Sequence, residues 1–165
     1  MVKMNFRNPT LEKVVRGFKW TRNNTIQIFE QAKKEDILDF ISSGESKKYT
    51  FQPILYQFQC IVTTTDRYYR SLIKHKDQQF GVLIREGNII DKDVISQDLV
   101  CKVLKEQLVQ LETLLKNYND KEVEKNIKDI LAILNHEYLH QGQFILMFRE
   151  AGVELPERFK KAWAL

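Results

Sequence analysis

The sequence predicts an all-α fold, a four-helix bundle, on three observations. Apolar residues recur with the helical period in four separate stretches. Breakers are scarce, with 6 Gly and 3 Pro in 165 residues, which opposes a turn-rich all-β fold. The first, third and fourth stretches also open at residues suited to capping a helix. The length fits one domain over residues 1–165, large enough to bury about two-thirds of the unfolded chain's surface.

The first stretch runs from about Pro9 to Ala32. Asn8 and Thr10 are both N-cap candidates, and Pro9 suits a first turn. Leu11, Val14, Val15, Phe18, Thr25, Phe29 and Ala32 follow helical spacing, and Arg22 falls inside their stripe. A linker passes through Ser42-Ser43-Gly44. The second stretch runs from about Phe51 to His75, with Phe51, Leu55, Phe58, Val62, Tyr69 and Leu72 on one face. Pro53 fits its first turn, where a missing N–H costs nothing.

Between Gln78 and Gln97 the pattern weakens. Phe80-Gly81-Val82-Leu83-Ile84, Gly87-Asn88 and Ile89-Ile90 read as a short hairpin or a packed loop. The third stretch, about Ser96 to Tyr118, carries Leu99, Val103, Leu104, Leu108, Leu111 and Leu115, with Ser96 as N-cap. The fourth runs from about Lys121 to Ala151, capped by Asn119-Asp120 and ended by Gly152 in a C′ position. A tail of Arg158 to Leu165, with Phe159 and Trp163, is expected to dock on the bundle.

The charge balance is mild. Lys+Arg number 26 against Asp+Glu 22, a net +4, and the charges are interspersed, so no nucleic-acid partner is expected. No apolar run reaches the roughly 18 residues of a membrane span. The start lacks a signal peptide's apolar stretch, and two cysteines, Cys60 and Cys101, make no disulfide scaffold. A cytoplasmic setting is the expectation, without a membrane partner.

Of three histidines, His136 and His140 stand four apart on the fourth helix. That spacing stacks both imidazoles on one face, able to chelate one ion. The alternative makes them polar residues at the rim of the core. The string His136-Glu137-Tyr138-Leu139-His140 formally reads H-E-x-x-H, which would make Glu137 the general base of a zinc hydrolase. That reading is the least favoured, because the pattern is short and recurs by chance. His75, among Lys74, Lys76 and Asp77, reads as solvated, and Cys60 and Cys101 as ordinary packed or surface thiols.

Extended, the string becomes His136-Glu137-Tyr138-Leu139-His140-Gln141-Gly142-Gln143, then Arg149, Gly152 and Pro156. This resembles the last helix of the DinB-like superfamily of metal-binding four-helix bundles, and Trp20-Thr21-Arg22 resembles its first. The resemblance implies an up-down-down-up bundle, often dimeric, that holds a divalent metal with three histidines. The family's first histidine lies near the start of helix two, about eight residues after an aromatic residue. Counted from Phe51, that position is Gln59. At roughly 100° per residue Gln59 sits near the Leu55/Val62 line and Cys60 points away from it. The expected metal ligands are therefore His136, His140 and Gln59, a weakened site for zinc or nickel, with Asp66 as an outside candidate. Gln59 read plainly is a polar residue at the core's edge.

Glu137 lies inside the apolar arc of the fourth helix and needs a partner. A buried Arg22–Glu137 pair would supply one. A catalytic Glu137 is the alternative. Gln143 and Arg22 are the candidate cofactor-binding residues, Gln143 for its place near the histidine face. By resemblance, the chain is expected to be an enzyme of the thiol S-transferase or metal-dependent hydrolase kind. Its expected partners are a low-molecular-weight thiol, a small electrophilic substrate and a second copy of itself. The other reading is a metal-free ligand-binding or structural bundle.

Overall fold

A computed structural model describes residues 6–42, 52–74, 81–85 and 88–164. It is mostly helical. Helices α1 (Pro9–Lys34) and α2 (Ile54–Leu72) come first, then strands β1 (Val82–Arg85) and β2 (Asn88–Asp91). A 3-10 turn (Lys92–Val94) leads into α3 (Gln97–Lys116), α4 (Asp120–Glu150) and the short α5 (Glu157–Trp163).

Local chemistry sets the helix ends. Asn8 caps α1 by accepting from Leu11 N, so Thr10 lies inside the helix. Ser96 caps α3 by accepting from Leu99 N. Asn119 and Glu122 form a reciprocal capping box at the start of α4, which satisfies two of its orphan donors. Gly152 ends that helix at φ +69°, a conformation that favours glycine. Helix α2 starts later than expected, and Pro53 precedes its first turn instead of occupying it. Phe51, the 43–44 linker and His75 lie outside the described residues. Strands β1 and β2 pair antiparallel, with Val82 opposite Asp91 and Ile84 opposite Ile89, while Phe80 and Gly87 lie outside the described residues.

Two apolar clusters fill the interior and fix the direction of each helix. One gathers Ile28 and Phe29 of α1, Ile54 and Phe58 of α2, Val100 and Val103 of α3, and Phe144 and Phe148 of α4. The other gathers Leu11 and Val15, Leu72, Leu111 and Leu115, and Ile130 and Ile133. The late part of α1 thus meets the early parts of α2 and α3 and the late part of α4. Helices α1 and α4 run one way, and α2 and α3 the other. Because α2 and α3 are parallel, the chain must travel back along the domain between them, and the 73–96 segment does this. Asp66 on α2 ties the paired strands down by an ion pair to Arg85 at 3.2 Å, and pairs with Arg70 of its own helix at 3.2 Å. Phe159 of α5 is fully buried in the first cluster.

Phe58 is the centre of the first cluster. It stacks on Phe144 at 4.3 Å and meets Phe29 edge-on at 5.0 Å. Truncation there removes contacts with α1 and α4 together. Phe58→Ala should lower the unfolding free energy by about 3–5 kcal/mol, seen as a lower urea midpoint.

Candidate metal centre

Arg22 carries a full charge into the interior, with its side chain wholly buried. Charge in such a place requires complete pairing, and every helix of the core contributes. Arg22 Nε donates to Glu137 Oε2 at 3.0 Å and Nη2 sits 2.9 Å from the same oxygen. Nη2 also donates to Thr65 Oγ1 on α2, and Nη1 to Gln107 Oε1 on α3, both at 3.0 Å. Gln107 in turn donates to Val62 O at 2.8 Å. The Phe18 ring lies 5.0 Å from the guanidinium carbon. The expected Arg22–Glu137 pair therefore forms. Glu137, fully buried and held by Arg22, faces no solvent from which a substrate could approach.

One residue before Glu137 and three residues after it, α4 brings the two imidazoles to the α2 interface. His136 Nε2 and His140 Nε2 face each other at 3.3 Å. Cys60 of α2 completes the group, its Sγ 3.7 Å from His136 Nε2. The three donor atoms lie within 4.8 Å of one another. A tetrahedral zinc ion with ordinary bond lengths separates two nitrogens by about 3.3 Å, and a nitrogen and a sulfur by about 3.5 Å. The His136–His140 and Cys60–His136 contacts are near those spans.

Compared with known proteins, the chain matches no family model, no curated protein and no solved structure.

Gln59, the expected third ligand, is engaged elsewhere. Its Nε2 donates to Ile95 O at 2.6 Å, anchoring the segment that leads into α3. Cys60 was expected to point away, yet it is the residue that reaches the histidines. A single core line is too narrow a description of α2. Helix α2 packs against α3, α4 and the hairpin segment, so its buried arc is broad and two successive residues both lie in it. Donor chemistry was the available signal, since a thiolate is a far better soft-metal ligand than a neutral amide. Asp66 is committed to the two arginines and the Ile84 N–H. Arg22, a candidate cofactor ligand, spends its donors within the core.

The surroundings hold both imidazoles in the neutral state that a metal ligand requires. Burial, aided by the Arg22 charge, pushes His136 down to about 4. Burial and then the neighbouring His136 push His140 down to about 3, opposed only by the Gln143 carboxamide. Neutral imidazoles have lone pairs to give. Burial raises the Cys60 thiol, while Thr64 and the Lys92 charge work the other way. His140 Nδ1 and Gln143 Oε1 are buried without hydrogen bonds. A small turn of Gln143 would let it accept from Nδ1–H, which holds the Nε2 lone pair toward His136 and Cys60.

The depressed histidines also couple folding to pH. Between their folded values and the ordinary 6.5, the unfolded chain binds protons that the folded chain does not. Stability of the metal-free protein is present above 6.5 and drains away as pH falls toward 4. Urea midpoints should drop between neutral pH and about pH 5, and the drop should shrink in His136→Gln/His140→Gln.

Proposed function

We propose that the chain is a metal-dependent enzyme of the DinB-like kind, an up-down-down-up four-helix bundle. Its centre is a zinc-type divalent ion held by Cys60, His136 and His140. The observation that carries this reading is the convergence of one thiol and two imidazoles from two different helices, all within 4.8 Å of one another and, among the described residues, with no carboxylate in the group. One thiolate and two imidazoles select zinc-like metals over magnesium or calcium. Such an ion, with three protein ligands, keeps a position for water or a small thiol and lowers its pKa. The run directions of the four long helices support the bundle, and the H-x-x-x-H-x-G-Q string of residues 136–143 supports the family.

The chain's own residues supply the surroundings. Glu137, between the two histidines in sequence, holds Arg22 and thereby fixes the turn of α4 that presents them. Gln143, turned toward Nδ1–H, would orient His140. Thr64 lies 3.9 Å from Cys60 Sγ and provides a hydroxyl to the sulfur. Hydrolysis and thiol transfer both fit this chemistry.

Metal titration tests the ligand set directly. Isothermal titration with zinc should show one site per chain. Cys60→Ala and His140→Ala should each weaken it on the order of 100-fold or more, about 1.4 kcal/mol per tenfold. Gln59→His should not tighten it, because position 59 faces Ile95. A tightening there would restore Gln59 as the ligand and displace Cys60.

The same reading includes a homodimer. Trp20, Leu139 and Leu146 are 37%, 60% and 49% exposed, and apolar side chains presented on α1 and α4 are readily buried in a symmetric pair. Light scattering at micromolar concentration should give twice the 19.6 kDa chain mass, and Leu139→Lys/Leu146→Lys should return the monomer.

A further inference from the structure

The rim of the centre bears on what it binds. Tyr56 precedes Cys60 by one turn of α2, so the two side chains share a face. Lys92, at the start of the 3-10 turn, reaches the same place. Its Nζ donates a hydrogen bond to the Tyr56 hydroxyl oxygen and lies 4.4 Å from the centre of that ring. Its stem is laid over Gly81, where a Cβ would meet Lys92 Cδ at 3.6 Å, and its backbone N donates to Gly81 O at 2.9 Å. A long side chain that ordinarily wanders in solvent is thereby held at a fixed point.

That ammonium has no carboxylate within ion-pair distance among the described residues, and Asp93 acts on it only at longer range. Its field reaches Cys60. The Tyr56 hydroxyl accepts from Lys92 and so keeps its own proton to donate. The Lys92 ammonium and the Tyr56 hydroxyl are thus two donors on the face of α2 that carries Cys60. A divalent ion with one thiolate and two neutral imidazoles keeps a net charge of about +1, and Lys92 adds a second positive charge. A neutral ligand would leave this field unmet.

We propose that the Cys60–His136–His140 centre takes a small monocarboxylate ligand, its charge met by the Lys92 ammonium and the Tyr56 hydroxyl. This inference rests on the metal reading given above. A carboxylate suits the set better than a phosphate, since one of its two oxygens would meet the ion and the other the Lys92–Tyr56 pair, and a phosphate carries oxygens beyond these.

Cobalt(II)-loaded protein reports ligation through its visible absorption. Titration with acetate at fixed ionic strength and mildly alkaline pH should give a saturable spectral change. Lys92→Met should weaken acetate by about tenfold, Tyr56→Phe by less, and neither should alter the response to imidazole, a neutral ligand for the same position. The imidazole response also proves the variants folded. Equal acetate affinity in wild type and Lys92→Met, with cobalt bound, would overturn the inference and leave the metal reading standing. Tighter binding of inorganic phosphate than of acetate would overturn the monocarboxylate assignment. Failure of wild-type protein to bind cobalt would remove the centre and the inference with it.

Discussion

The guanidinium of Arg22 is the group on which the rest of the interior depends. It stands between the two apolar clusters and takes a partner from α2, α3 and α4 at once. An apolar core alone specifies helix packing loosely, because Leu against Leu tolerates small slides and rotations. A buried charge does not tolerate them. Loss of one partner leaves the other charge unpaired, at a cost of ~3–5 kcal/mol. The register of all four long helices is therefore set at one level of the core.

That level is also the level of the candidate centre. Glu137 lies between His136 and His140, so the helix turn that meets Arg22 is the turn that carries the ligands. Thr65 of α2, which accepts from Arg22, is five residues past Cys60, and the same constraint thus places both sides of the cluster. The charge acts at a distance as well. It helps to keep His136 neutral, which is the protonation state a metal ligand requires. Structure and chemistry are served by one ionic contact, and neither helix could shift without disturbing both.

The parallel course of α2 and α3 has its own consequence. It obliges a long connection, and the hairpin and 3-10 turn in that connection come to rest on α2. Asp66 fastens the strand end and Gln59 fastens the turn end. Lys92 is delivered to the rim of the centre by this arrangement. A residue 32 positions from Cys60 in the sequence thus brings its positive charge to bear on the thiol.

Much of this was legible in the sequence. Helical periodicity, capping residues and the scarcity of Gly and Pro located four helices to within a few residues, because those signals are local and repeat along the chain. The Arg22–Glu137 pair was legible too, since a charge inside an apolar stripe demands a partner, and each was the other's best one. The i,i+4 spacing alone put His136 and His140 on one face. The third donor was not legible. Gln59 and Cys60 differ by one residue, or about 100° of helix rotation, and only the packing of α2 against three neighbours decided which of them met the histidines. Lys92 and Tyr56 were invisible for the same reason: their meeting depends on a connection whose path the local pattern does not encode. Sequence determined what each segment is, through short-range physics. Tertiary structure decided which side chains meet, because that depends on how helices rotate to bury one shared core.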